Sequence, residues 1–259
     1  MILTVDGVRF SYNGHRVLDD IRFDVNRGEL LVILGPNGVG KTTLLRCING
    51  ILKPSGGAVM IEEQNVLKLD AMETARKIGY VSQHQEPGRL TAFDAILMGR
   101  RPHIRWRVSE QDLRVVDGAI KSLHLQDLAM RYIDRMSGGE LQKVAIGRAL
   151  VQEPRLLLMD EPTSSLDLKN QIEILKLIRH VVRGHGLGGV MTMHNLNMAL
   201  RFADKCIFLK SGKIHAAGNT SDVSAAMIEE VYGVPVEVHH HRGHPIVVPL
   251  ETVYEEDAI

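Results

Sequence analysis

Apolar and polar positions alternate in short runs at the start of the chain. Leu3 to Val5, Val8 to Phe10, and Val17 to Val25 with Ile21, Phe23 and Val25 set against polar neighbours, read as strands of an antiparallel edge sheet. Leu30 to Leu34 is unbroken apolar sequence, the pattern of a strand buried on both faces. Thr43 to Asn49 then reads as a helix with Leu44, Leu45 and Ile48 on one side. Gly56-Gly57 marks a turn before a strand at Ala58 to Ile61, and Ile78 to Val81 reads as another buried strand. From Glu86 to about Leu150 the strand signal fades. Leu113, Val116, Ile120 and Leu123, then Leu141, Val144 and Ala145, recur at helical spacing and predict an all-helical insertion. Strands return at Leu156 to Met159, Val190 to Met193 and Cys206 to Leu209, with a helix carrying Ile174, Leu175, Ile178, Val181 and Val182 between the first two. Strand and helix in alternation predict an α/β fold with a largely parallel sheet. From about Tyr232 the chain reads as irregular and histidine-rich.

Composition narrows the class. The chain has 259 residues and is 44% hydrophobic, enough for one large domain with a sizeable core. Its 31 basic residues balance 31 acidic ones, which argues against a nucleic-acid-coating role. No apolar run is long enough to span a membrane, and Met1 to Asp6 does not begin a secretory signal. Cys47 and Cys206 lie in apolar surroundings and read as reduced core residues of a cytosolic protein.

Three segments carry chemistry. Gly35-Pro36-Asn37-Gly38-Val39-Gly40-Lys41-Thr42 matches G-x-x-x-x-G-K-[ST] between the Leu30–Leu34 strand and the helix opening at Thr43. A glycine-rich turn there aims successive amides into one concavity at a helix N-terminus, which suits phosphate. Lys41 would reach the β- and γ-phosphates of ATP and the Thr42 hydroxyl would ligate Mg²⁺. Second, Leu156 to Met159 ends in Asp160-Glu161, placing two carboxylates at the edge of a parallel sheet. Asp160 can hold Mg²⁺ directly or through water, and Glu161 can act as general base towards an attacking water. Third, Ser137-Gly138-Gly139-Glu140 precedes the helix from Leu141 to Leu150 and is either a helix cap or a second anion site.

In this order the segments resemble the nucleotide-binding subunit of an ATP-binding cassette (ABC) transporter over nearly the full length. The resemblance implies a P-loop NTPase (RecA-like) core with an antiparallel β edge sheet and an inserted α-helical subdomain: residues 1–85 and 151–230 as core, 86–150 as the helical subdomain, 231–259 as a C-terminal tail. Met136-Ser137-Gly138-Gly139-Glu140 is similar to the family's signature motif, usually L-S-G-G-Q, with mild departures at Met136 and Glu140. By the same resemblance Tyr12 stacks on adenine, Thr43 belongs to the ATP-binding loop, and Gln83 contacts Mg²⁺ and the attacking water. Asp167 lies in the D-loop segment Ser164-Ser165-Leu166-Asp167, and His194 is the switch histidine beside the γ-phosphate. Two such subunits are implied to pair head to tail, the signature Ser137, Gly138, Gly139 and Glu140 of each completing the other's ATP site.

Within the family, residues 91–103 and the segments 231–238 and 243–249 are similar to importers of iron-siderophores, haem and cobalamin. That implies a homodimeric ATPase on the cytoplasmic face of the cell (inner) membrane, bound to integral permease subunits and served indirectly by a substrate-binding protein, with no nucleic-acid partner. An exporter or lipoprotein-release motor and a soluble cluster-assembly ATPase are the alternatives. In the importer reading Ile96, Leu97 and Met98 pack a helix of the permease and Arg100 anchors its carbonyl end, unless the apolar residues fill the subdomain's own core. Arg100, Arg101, Arg105 and Arg107 with Trp106 form a basic cluster, either a solvated face or a contact with the permease or anionic headgroups. His239, His240, His241 and His244 read as a solvated polar turn, with a transition-metal site as the alternative.

Overall fold

The computed structural model describes residues 1–83 and 88–250. Leu3–Tyr12 (β1) and His15–Val25 (β2) pair antiparallel, and Leu30–Leu34 (β3) leads into Lys41–Ile48 (α1). The two runs expected at Leu3 and Val8 are one strand, its register shifted between Val5 and Val8 where Gly7 has φ 64°. Gly56–Ile61 (β4) and Gln64–Asn65 (β5) complete an edge sheet in the order β2-β1-β4-β5. Ala71–Lys77 (α2) opens with a reciprocal Asp70/Glu73 cap and runs into Ile78–Val81 (β6).

The helical stretch follows: Ala92–Leu97 (α3), Glu110–Ser122 (α4) and Gly138–Leu150 (α5). The boundary expected between residues 85 and 86 lies outside the described residues, as does the chain beyond 250. Leu156–Asp160 (β7), Leu168–Gly184 (α6), Gly188–Thr192 (β8), Leu196–Phe202 (α7), Lys205–Lys210 (β9), Lys213–Asn219 (β10) and Ala225–Tyr232 (α8) close the central unit. Its sheet runs β10-β9-β3-β8-β7-β6, with every neighbour pair parallel except β9–β10.

Period-two alternation divides this sheet between two cores. Leu30, Val32 and Leu34 with Leu157 and Met159 face the helical stretch, α6, α7 and α8. Leu31 and Ile33 with Leu156 and Leu158 face α1 and the edge sheet. Both cysteines are buried free thiols, each pushed up to about 12 by burial. Among the described residues no helix is long and apolar enough to cross a membrane.

Two expectations are corrected here. The expected irregular tail contains a hairpin, Val236–His241 (β11) and His244–Pro249 (β12), paired from Val236↔Pro249 to His241↔His244. Its two-residue turn, Arg242-Gly243, has φ 50° and 79°, the doubly positive backbone that matches strand twist. Val236 and Val247 anchor it in the core, and Asn197 grips Val247 through both backbone groups at 3.1 and 2.7 Å. The histidines hid this pattern because they alternate with nothing apolar. His239 Nε2 lies 2.9 Å from Glu237 Oε2, and among the described residues no group of three or more histidine, cysteine or acidic side chains is arranged to hold a metal.

The second correction concerns the groove expected at 95–103. Arg100 does not face a visitor: it is 3% exposed and donates to Asp112 Oδ1 at 2.9 Å and to the Val151 carbonyl and Glu153 Oε2 at 2.6 Å each. Ile96 is fully buried and fills the helical core beside Gly147 of α5. A Cβ on Gly99 would stand 2.0 Å from the Arg148 carbonyl, so the chain can pass α5 only as glycine. Met98, at 55% exposure, remains on the surface, as do Arg101, Arg105, Trp106 and Arg107. Leu113, expected on the buried stripe of α4, is exposed.

Asp112 is held at about 2, first by the Ser109 hydroxyl and amide and then by Arg100. Its folded value lies below its ordinary 3.8, so the stabilisation it brings is present above 3.8 and lost as pH falls towards about 2. Arg100→Ala leaves the buried Asp112 without its cation and should cost about 3–5 kcal/mol. Urea unfolding at neutral pH measures this; a midpoint equal to wild type would show that Arg100 is not structural.

Candidate functional site

The sheet edge that ends β3, β7 and β8 gathers the chemistry. Between β3 and α1 the segment Gly35 to Gly40 folds into a cradle, and a Cβ on Gly35 (φ 145°) would meet the Leu209 carbonyl at 2.5 Å. Only glycine lets the loop lie this close to β9. Lys41 opens α1 and is 6% exposed. Its ammonium donates to the carbonyls of Gly35 at 2.8 Å and Pro36 at 3.0 Å, so the cation is spanned by its own loop. Burial pulls its pKa down, opposed by the charges of Glu161 and Asp160.

Asp160 ends β7 and is 2% exposed. Its Oδ1 accepts from the Thr42 hydroxyl at 3.1 Å and from the Thr192 hydroxyl at 2.8 Å. The next residue turns sharply: Glu161 has φ 48°, a left-handed conformation that costs a non-glycine residue energy unless its surroundings hold it. Thr192 Oγ1 supplies that hold by accepting the Glu161 amide at 2.9 Å. The Glu161 carboxylate accepts from Gln83 Nε2 at 2.7 Å and is hydrogen-bonded through its other oxygen to His194 Nε2. Lys41, Thr42, Gln83, Asp160, Glu161 and His194 are thus brought together from four separate sheet-edge loops.

Among the remaining expected residues, Gly138 lines a small cavity with Gln83 and Glu161. Tyr12 ends β1, 44% exposed, and meets Phe10 edge-on with ring centroids 4.7 Å apart. Ser137 caps α5: Glu140 N–H donates to its hydroxyl at 3.4 Å, and Ser137 N–H donates to the Glu140 carboxylate at 2.8 Å. The Ser137 amide is the main reason that the Glu140 carboxyl sits below its usual range. The acid at this position therefore makes a capping box within its own chain. Asp167 caps α6, accepting from the Asn170 amide at 2.8 Å, and Gly138 and Gly139 pack beside Leu166 and Asn170.

Sequence reasoning missed two residues. Thr192, fully buried, joins both acids; a hydroxyl at the end of an apolar strand was the available signal. Tyr232, from the end of α8, accepts the Gly35 amide on its hydroxyl at 2.9 Å, and burial pushes its pKa up to about 12. Nothing local to Tyr232 announces a partner nearly the whole chain away.

Comparison with known proteins gives the family. A family model described as ABC transporter matches residues 18–164. An uncharacterised ABC transporter ATP-binding protein of Methanocaldococcus jannaschii is 50% identical, covering 96% of this chain and 98% of its own. The ferric enterobactin transport ATP-binding protein of Escherichia coli is 34% identical over 93% of this chain and 91% of its own. A chain of an inward-facing ABC transporter, described as of metal-chelate type, superposes with a TM-score of 0.84 at 30% identity, covering 96% of this chain and 97% of that one.

The Thr192 hydroxyl can be tested alone. Thr192→Val keeps shape but strips the acceptor from the Glu161 amide and should cost roughly 1–3 kcal/mol. Thr192→Ser keeps the hydroxyl and should unfold near the wild-type midpoint in urea. Equal midpoints for Val and Ser would remove the hydroxyl from this role.

Proposed function

This chain belongs to the ABC transporter family, as an ATP-binding subunit with the P-loop NTPase fold and an ATPase by class, and on that premise we propose that it drives import of a metal chelate. An iron-siderophore, haem or cobalamin is the cargo class. The observation that carries the catalytic part is the Glu161 carboxylate, fixed between Gln83 and His194 at the sheet edge beside the phosphate loop. The cargo class is supported by the ferric enterobactin relative and the metal-chelate-type structure, each matched over most of both chains.

In this reading the amides of Gly38, Val39, Gly40, Lys41, Thr42 and Thr43 receive the phosphates, with Asn37 and Pro36 shaping the loop and Tyr12 under the adenine. Lys41 exchanges the carbonyls of Gly35 and Pro36 for phosphate oxygens. Thr42 Oγ1 and Asp160 Oδ1 already converge to 3.1 Å, and with the Gln83 side-chain oxygen they would supply hard oxygen ligands of the kind that suits Mg²⁺. Mg²⁺, when bound, neutralises charge on the β- and γ-phosphates. Glu161 takes a proton from water as the water oxygen attacks the γ-phosphorus and the bond to the β-bridging oxygen breaks, giving ADP and phosphate. Gln83 and His194 hold the Glu161 carboxylate in place for that transfer.

Two copies pair head to tail, with Ser137, Gly138 and Gly139 of one closing over the other's phosphate loop and Asp167 at the shared seam. The homodimer sits peripherally on the cytoplasmic face of the membrane against permease subunits, which a binding protein supplies with cargo. The helical stretch up to Leu150 is the part that meets the permease, through its exposed Met98 and Arg101 rather than through Arg100.

Glu161→Gln should bind ATP as wild type does and hydrolyse it about 10²–10⁴-fold more slowly. Reconstituted with the permease and binding protein, it should also abolish ATP-dependent uptake of a radiolabelled ferric chelate that the wild type imports. Hydrolysis near the wild-type rate would take the base role from Glu161, and absence of chelate uptake by the active wild-type complex would refute the cargo class.

Ser137→Arg, placed in the Glu161→Gln background, should bind ATP as a monomer and fail to dimerise. Light scattering in saturating ATP reads the outcome; a dimer formed as readily as in Glu161→Gln alone would sink the shared-site arrangement.

A further inference from the structure

Behind the sheet edge, α6, α7 and the β11–β12 hairpin enclose an open cleft of about 1150 Å³. Its charge is one-sided. Lys176, Arg179 and Arg183 reach it from α6, Arg201 from α7 and Arg242 from the hairpin turn, and no lining residue is acidic. Asp204 takes up Arg183 at 2.6 Å and lies 3.9 Å from Arg179. Lys176, Arg201 and Arg242 have no ion pair among the described residues. The Arg179 Nε is buried with no hydrogen-bond partner, a donor left unsatisfied where one is expensive to leave so. His180, His241 and His244 add ring nitrogens at the walls, and Met198, Phe202 and Ile246 supply an apolar floor.

Cations drawn from three elements around a concave, partly apolar surface repel one another unless a counter-charge lies between them. We propose that this cleft binds a small, multiply charged anion, a carboxylate- or phosphate-bearing molecule with an apolar body, and that its occupancy alters ATP hydrolysis. The link is structural. The α6 wall starts at the Asp167 cap, and the α7 wall starts two residues after His194. Asn197, itself a lining residue, holds the hairpin to α7 through Val247. A ligand bridging the three walls fixes the relative position of the helices that follow Asp167 and His194.

Calorimetry on the full chain, with Mg-ADP saturating the phosphate loop, tests binding with citrate and 1-naphthyl phosphate as probes. Saturable one-to-one binding is expected for at least one of them. Arg201→Glu and Arg242→Glu should each weaken it about tenfold or more while leaving basal ATPase unchanged. The saturating probe should shift the hydrolysis rate of wild type and leave that of both variants unmoved. Failure of both probes to bind wild type, or equal binding by the variants, overturns the site. Binding without any change in hydrolysis overturns the coupling. Two other occupants are separated in the same series. Arg242-dependent binding to phosphatidylserine vesicles, with no binding of the free probes, would make this a headgroup patch. The chain's own acidic end supplies the other: if the probes bind only after Glu255→Gln, Glu256→Gln and Asp257→Asn are combined, that segment is the occupant and the proposal falls.

Discussion

A single buried hydroxyl organises the sheet edge where the acids meet. Thr192 donates to Asp160 and accepts from the Glu161 amide, so one atom of β8 fixes the last residue of β7 and the turn residue after it. Without it the left-handed Glu161 would lose the contact that offsets its strain, and its carboxylate would be free to leave Gln83 and His194. The parallel pairing Asp160↔Thr192 makes this bond automatic once β7 and β8 are in register. The register in turn rests on the two-faced apolar alternation of Leu156 to Met159, since a one-residue slip would exchange the two cores. Site geometry here is a consequence of core packing two residues away.

The phosphate loop shows the complementary economy. A buried ammonium needs acceptors, and the loop offers two of its own carbonyls to Lys41. In the proposed function phosphate binding is therefore an exchange of partners rather than the filling of an unsatisfied charge. The loop is also held from outside, with Gly35 pressed on β9 and its amide given to Tyr232. Its shape is set before any nucleotide arrives, which reduces the ordering cost of binding.

Contiguous features were readable from sequence and non-contiguous ones were not. The Gly35–Thr42 loop and the Asp160-Glu161 strand end announce themselves because strand, turn and helix signals adjoin the chemistry. Gln83 and His194 carry no local mark; their positions came from a resemblance and the structure sets both on Glu161. Thr192, Tyr232 and Arg100 owe their roles to partners 31, 197 and 51 residues away, respectively, which no periodicity encodes. The tail hairpin was lost for a different reason. In β11 three adjacent histidines break the alternation after Val238, and in β12 the outward Ile246 and Val248 are as apolar as the inward Val247, so the period-two signal survives only at Val236 and Val238. The basic cleft vanished with it, because its third wall is that hairpin.

Arg100 ties separate parts of the helical stretch together. It bonds Asp112 near the start of α4 and, on the other side, the Val151 carbonyl and Glu153, which stand between α5 and β7. Beside it, Gly99 lies against the Arg148 carbonyl of α5 with no room for a side chain. The turn after α3, the N-terminal end of α4 and the C-terminal end of α5 are therefore clamped together just before the chain enters β7. Buried ion pairs resist partial separation, because a lone buried charge is far costlier than a shifted pair. The residue expected to grip a visiting helix instead locks these three segments together, and Met98 beside it is left exposed.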